Sequence, residues 1–153
     1  PHSTGDISHE LSPKGVVLMG QIEERILVVD DDDVARMAIC DILEGSGYRT
    51  FELPSAIGVS NTIRKEKIHA VVLDVNMPTV AGNKVAKMLR ENSLFDDVAT
   101  LLISERDFRE LSELGEAARA DAVVMKAHMR TELVRTVKRA IRTIRSTTAA
   151  RRP

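Results

Sequence analysis

In Arg25-Ile26-Leu27-Val28-Val29-Asp30-Asp31-Asp32-Asp33 an apolar run meets four consecutive carboxylates, and few folds accommodate that junction. An apolar run bounded by polar residues suits a parallel strand covered on both faces. Acids gathered at its C-terminal end repel one another unless something positive sits among them. Three later runs share the form but end differently: Val71-Val72-Leu73-Asp74 in a carboxylate, Leu101-Leu102-Ile103-Ser104 in a hydroxyl, Val123-Val124-Met125-Lys126 in an amine. Ligand sites in open α/β sheets lie outside the carboxyl ends of the strands. The four endings are therefore candidates for one site.

The intervening segments have helical periodicity. After the first strand (25–30), Val34, Ala35, Ala38, Ile39, Ile42 and Leu43 recur at helical spacing over 33–45, and Gly45 and Gly47 close that helix. A short strand at Tyr48-Arg49-Thr50-Phe51 precedes a weaker helix expected from Pro54-Ser55 to about Lys67, carrying Ile57, Ser60 and Ile63. His69 to Leu73 reads as the third strand, and Asn76-Met77-Pro78-Thr79-Val80-Ala81-Gly82 as a loop, since proline and the residue before it resist helical geometry. A helix near 83–91 buries Val85, Ala86, Met88 and Leu89. A strand follows at Ala99–Ile103, then a helix near 107–118 with Phe108, Leu111 and Leu114, and a strand at Ala122–Met125. The last helix is expected from Thr131, a good N-cap residue, with Leu133, Val137, Ala140, Ile141 and Ile144 as its stripe. Five strands alternating with five helices over about 120 residues predict a parallel sheet with helices on both faces.

Composition narrows the remaining choices. A chain of 153 residues is one domain's worth. We expect an N-terminal extension over 1–24, flexible or associated with a sheet edge, a folded domain over 25–145, and a loose basic tail over 146–153. Cys40 is the single cysteine, which excludes an intrachain disulfide and a cysteine metal cluster; its setting reads as a structural helix position. No stretch approaches the roughly 20 apolar residues of a membrane helix, which points to a cytoplasmic protein. The formal charge of -1 hides a gradient: residues 1–24 carry -3 and residues 131–153 carry +6. A basic tail can meet nucleic acid or an acidic surface. The lack of interleaved aromatics argues against nucleic acid and for a solvated helix face.

The chemistry of the endings can be stated on its own. Asp30, Asp31 and Asp74 come from strand ends that could lie side by side. Oxygen-only ligands of this kind suit Mg²⁺, which keeps some water and also binds phosphate oxygens. A divalent ion beside a carboxylate neutralises both reactants when that carboxylate attacks phosphorus, and aspartyl phosphate is a known covalent outcome. Lys126 would place an ammonium, and Ser104 a hydroxyl, near the phosphoryl oxygens, and phosphoryl transfer is mostly positioning and charge neutralisation. His2, His9, His69 and His128 lie at no metal-like spacing.

These residues resemble a response-regulator receiver domain, the phosphoacceptor module of two-component signalling. The matching text is Ile26-Leu27-Val28-Val29-Asp30-Asp31-Asp32, Val72-Leu73-Asp74-Val75-Asn76-Met77-Pro78 with Gly82 following, Ser104 and Lys126. The resemblance implies a flavodoxin-like, three-layer, doubly wound sheet of five parallel strands in the order 2-1-3-4-5. It implies that Asp74 is phosphorylated by a histidine kinase or phosphotransfer protein, and that Asp31 and Asp74 bind Mg²⁺ directly, Asp30 through water, and Asn76 through its backbone carbonyl. It implies further that Ser104 turns toward the phosphoryl group, that Lys126 pairs with it, and that the face of helix four, strand five and helix five meets a downstream protein. It leaves room for a homodimer on that face. Three departures stand out. Ala127 follows the lysine where the family usually has a proline joined by a cis bond. Val123 stands where the family usually has a switching aromatic, and Ala81 where it commonly has an acid.

Two other readings remain open at this level. Ala127 and Val123 motivate a receiver-like binding domain indifferent to phosphorylation. Asp30-Asp31-Asp32-Asp33-Val34 contains the Asp-x-Asp-x-Val spacing of haloacid-dehalogenase-type enzymes, in which Asp30 would be the nucleophile; the late acidic pair and cap domain of that class have no counterpart in the sequence.

Overall fold

The computed structural model describes residues 23–152; the strand expected at Val16–Met19 and the rest of the extension up to residue 22 lie outside the described residues. The strands are β1 (Arg25–Val29), β2 (Arg49–Leu53), β3 (Ala70–Asp74), β4 (Ala99–Ser104) and β5 (Ala122–Met125), all parallel, in the order β2-β1-β3-β4-β5. The helices are α1 (Asp33–Glu44), α2 (Val59–Glu66), α3 (Gly82–Arg90), α4 (Phe108–Ala118) and α5 (Met129–Arg151). Short 3-10 turns occupy Ser93–Phe95 and Lys126–His128.

Alternation along the central strands splits the core into two layers. Ile26 and Val28 of β1, Val72 of β3, and Leu101 and Ile103 of β4 pack with Ile39 and Leu43 of α1 and Leu133, Val137 and Ile141 of α5. Leu27, Val29, Val71, Leu73 and Leu102 point the other way, against Ile63 of α2, Val85 and Leu89 of α3 and Leu111 of α4. Burying each Leu, Ile or Val contributes about 1.5–3 kcal/mol, so β1, β3 and β4 are held from both faces. Cys40 belongs to the first layer, where burial pushes its thiol up to about 11, as a structural cysteine should be.

Several helix expectations need correction. The segment from Pro54 to Gly58 is not helical; Gly58 stands at φ +88° and α2 starts only at Val59, leaving Ile57 in solvent. Val34, Met88 and Phe108, expected in apolar stripes, are exposed. α5 starts at Met129 rather than at a Thr131 cap, because the 3-10 turn over Lys126–His128 runs straight into it; Thr131 Oγ1 instead donates to the His128 carbonyl at 3.2 Å. The loose tail expected from Ser146 is helical through Arg151. Alanine and arginine favour helix, and no glycine or proline interrupts the segment before Pro153.

Ala81 is the N-cap of α3 in extended conformation (φ -65°, ψ 147°), and its methyl offers the helix no acceptor. Ala81→Asp should therefore stabilise the domain by about 0.5–2 kcal/mol, the usual difference between a capping side chain and alanine. Urea denaturation checks this, and an unchanged midpoint would count against the cap geometry.

Candidate functional site

The order β2-β1-β3 reverses the direction of winding between β1 and β3, which opens a crevice at their C-terminal ends. Register then places the side chains. Val29 pairs with Leu73, so Asp30 emerges beside Asp74; Asp74 pairs with Ile103, so Ser104 lies one step further; Ser104 pairs with Met125, so Lys126 follows. All four strand endings meet at one edge of the sheet.

Lys126 Nζ stands 2.9 Å from Asp30 Oδ2 and 3.4 Å from Asp74 Oδ1, with side-chain exposures of 14%, 0% and 3% for the three groups. Beyond that ammonium, Asp30 Oδ2 and Asp74 Oδ1 are buried and accept no hydrogen bond. Burial raises the pKa of Asp74, and the neighbouring charge of Asp30 adds to it; Lys126 and the Asn76 backbone N–H oppose the rise. Burial draws the Lys126 ammonium down, but the hydrogen bond to Asp30 and the charges of Asp74 and Asp30 outweigh it, so its pKa is raised. The Lys126–Ala127 peptide is trans, there being no cis bond among the described residues, and the lysine reaches both acids without a following proline.

Asp31 is exposed, and one oxygen from each of Asp30, Asp31 and Asp74 lies within 4.8 Å of the other two. Three carboxylates with two buried oxygens lacking hydrogen bonds form an oxygen-only donor set, the kind that suits a hard dication. The residues present thus fit the cation the sequence implied. Asn76 is exposed at the mouth, where its Nδ2 stands 3.5 Å from Ser104 Oγ. Ser104 is fully buried and its Oγ accepts from the Arg106 backbone N–H at 3.1 Å.

Two arginines belong to the site that the sequence reading did not single out. Arg36 Nη1 donates to the Asp30 carbonyl at 2.7 Å, while its other nitrogens hold Glu52 at 3.0 Å and Asp33 at 2.6 Å. It fixes the backbone from which the buried carboxylate projects. Asp30 Oδ1 meanwhile accepts from the Asp32 backbone N–H at 2.9 Å, so the residue is held at both ends. Arg106 donates to Asn76 Oδ1 from Nε at 3.3 Å and Nη2 at 3.2 Å, lying across the mouth. The signals were slight: a cation one helical turn beyond the acids, and another two residues past Ser104.

The arrangement can hold a dication and direct one buried carboxylate at an electrophile that brings its own negative charge. It does not suit Asp30 as a nucleophile, because both of its oxygens are already engaged.

The chain is similar to known proteins in sequence and in fold. The description "response regulator receiver domain" matches residues 26–138. The chain is 32% identical over 118 residues to the response regulator MprA of Mycobacterium sp. (strain KMS), covering 77% of this chain and 50% of that protein. It is 27% identical over 120 residues to the phosphate regulon transcriptional regulatory protein PhoB of Klebsiella pneumoniae, covering 78% and 52%. It thus spans about half the length of these relatives. In fold it resembles the CheY-like response regulator receiver domain protein of Methanospirillum hungatei JF-1, with a TM-score of 0.72, 23% identity, and coverage of 82% of this chain and 99% of that one.

Proposed function

The chain belongs to the response regulator receiver domain family, and from that premise we propose that it accepts a phosphoryl group on Asp74 from a histidine kinase or phosphotransfer protein, with Mg²⁺, and signals through altered protein contacts. The observation that carries this reading is the buried Asp74 carboxylate, 3.4 Å from Lys126 and within 4.8 Å of Asp30 and Asp31 oxygens.

Asp30, Asp31, Asp74 and the Asn76 carbonyl would hold Mg²⁺. When bound, the ion neutralises charge on the carboxylate and on the phosphoryl oxygens so that the two can approach. An Asp74 oxygen attacks phosphorus, the P–N bond to the donor imidazole breaks, and the imidazole keeps the bonding electron pair and takes up a proton. Lys126 balances charge on the transferring group from the opposite side. Water later cleaves the acyl phosphate, returning Asp74 and inorganic phosphate. The new group adds negative charge and strong acceptors, to which the Ser104 hydroxyl and the Arg106 guanidinium can re-pair. That biases the loops after β4 and β5, and with them the face of α4, β5 and α5, where a downstream protein or a second copy would dock. The aromatic switch of the family has no place here. Val123 packs so closely on α4 that a Cβ at Gly115 would stand 2.6 Å from its Cγ1. No described helix is long and apolar enough to cross a membrane. The proposed phosphotransfer calls for a cytoplasmic domain.

Incubation with Mg²⁺ and acetyl phosphate, read by intact mass, tests the proposal. The wild type should gain an adduct of about 80 Da, the mass of one phosphoryl group on a carboxylate. Chelation of the metal or Asp74→Asn should each remove it. A folded protein that binds no Mg²⁺ and gains no adduct would instead be a binding domain indifferent to phosphorylation. Turnover of small phosphate esters dependent on Asp30 would return the dehalogenase reading.

A further inference from the structure

From Leu133 to Arg152 the chain carries seven cations and no acid, and the helical geometry of α5 sorts them. Arg135, Lys138, Arg139, Arg142 and Arg145 recur at i, i+3, i+4, i+7 and i+10, all exposed, on the side opposite Leu133, Val137, Ala140, Ile141 and Ile144, all buried. Lys138, Arg139 and Arg142 have no ion-pair partner among the described residues; Arg135 meets only Glu132, at 4.0 Å. Like charges three and four residues apart destabilise a helix, so the fold gains nothing from the three unpaired cations. The middle of the stripe, Lys138, Arg139 and Arg142, crowds like charges with no acid among the described residues to offset them, and so is matched to something outside the molecule.

The chemistry of the stripe selects among polyanions. Its apolar side is used up by the core, so no apolar face is left to enter a lipid surface. It offers no aromatic or large apolar anchor of the kind that carries protein interfaces. Arginine outnumbers lysine six to one in the segment, and the guanidinium fork matches phosphate. From Arg135 to Arg145 the rise is about 15 Å, enough to span the roughly 12 Å major groove of B-DNA and reach phosphates on both rims; the deep, narrow major groove of duplex RNA gives no such access. No Asn or Gln lies on the helix to read bases. We propose that the exposed face of α5 docks on the phosphate backbone of duplex DNA without reading its sequence. The lack of interleaved aromatics argues against nucleic acid in the sequence, but docking through phosphate contacts alone needs no aromatic to stack on bases.

The C-terminal half of the stripe is also remote from the acidic site. Arg145 pairs with Glu24 at 2.8 Å and Arg151 with Asp96 at 4.0 Å, which places the C-terminal half of α5 beside the beginnings of the strands. Asp74 lies at their ends, about 17 Å away along a five-residue strand and beyond the Debye length of about 10 Å. DNA docking is therefore separable from phosphorylation, and neither reading falls with the other.

Fluorescence anisotropy of the full chain with a labelled 24-base-pair duplex of arbitrary sequence tests this. Binding at 50 mM salt should weaken about 100-fold or more at 200 mM, as neutralising about four phosphates requires, and should not change between two unrelated duplex sequences. The triple variant Lys138→Glu/Arg139→Glu/Arg142→Glu should bind at least tenfold more weakly, and the glutamine version should weaken binding in the same direction while avoiding charge reversal on the helix. Arg109→Glu on α4 and Asp74→Asn should change affinity less than threefold. No binding at 50 mM salt, or wild-type affinity in a folded triple variant, would overturn the proposal. So would tighter binding to duplex RNA, to polyglutamate or to phosphatidylserine vesicles.

Discussion

Lys126→Met is expected to lower stability at pH 7 by about 3 kcal/mol and to slow labelling by acetyl phosphate roughly 100-fold. The first figure follows from removing one partner of a buried ion pair, which strands the charge left behind at a cost of about 3–5 kcal/mol; here two carboxylates are stranded, since Asp30 Oδ2 and Asp74 Oδ1 have only this ammonium near them. The second is the usual effect of deleting one preorganised group that meets developing charge. The pH dependence identifies the cause. Asp74 already has its pKa raised by burial and by Asp30, with Lys126 among the groups opposing; without the lysine it rises further. A carboxyl whose folded pKa exceeds its unfolded value favours the fold when protonated. The deficit of the variant is then full at neutral pH and shrinks as pH falls through the raised folded-state value toward the unfolded one. Mg²⁺ should also raise the Tm of the variant more than that of the wild type, because the ammonium and the dication compete for the same two oxygens. Urea melts at pH 7 and pH 5, with and without Mg²⁺, check all of this; equal stability of the two proteins at pH 7 would sink it.

The strand ends were legible because β1, β3 and β4 are buried on both faces, so burial leaves a continuous apolar run whose last polar residue is conspicuous. Asp30, Asp74, Ser104 and Lys126 could be read as one cluster since parallel strands in register place equivalent endings at one edge. Helix faces were less legible. Val34 and Phe108 stand in the first turns of α1 and α4, where the helix has only begun to meet the sheet, and an apolar residue there tells nothing about its own burial. The start of α2 was hidden because Gly58 at φ +88° re-aims the chain after an apolar Ile57. The apolar stripe ends at Ile144 and sets the expected boundary at 145, although a helix ends where backbone chemistry stops it rather than where burial does. Arg106 escaped because its partner Asn76 stands 30 residues away in the chain, and Arg36 because it is oriented by Glu52, 16 residues away, and by a backbone carbonyl that leaves no mark in the sequence. Such contacts exist only once the strands are paired.

Gly82→Ala should destabilise the domain by about 3 kcal/mol and lower its Tm by roughly 10 °C, although alanine is the better helix former. A Cβ at Gly82 would collide with the Asp74 carbonyl oxygen and stand 2.8 Å from its carbon and 3.1 Å from Leu73 Cβ. Two of these are backbone atoms of β3, paired to β4 and covered by α3, and cannot turn aside as a flexible side chain would. The intrinsic gain from glycine to alanine in a helix is about 1 kcal/mol at most, whereas forcing an extra carbon into a filled core costs about 1–3 kcal/mol and occasionally more. The contact is short enough to place this case at the upper end, and about 3 kcal/mol corresponds to roughly 10 °C in a domain of this size. Gly58→Ala separates this cause from backbone freedom. Its Cβ would meet nothing within 4 Å, but its φ of +88° disfavours any side chain, so about 1 kcal/mol is expected there. The site should register the difference as well. The atom pushed at Gly82 belongs to Asp74 itself, so the Gly82 variant should label more slowly even at temperatures where it is folded, and the Gly58 variant should label at the wild-type rate. A Gly82→Ala protein with unchanged Tm would mean that α3 can withdraw from the end of β3 at little cost. The close approach would then be incidental rather than the reason glycine stands there.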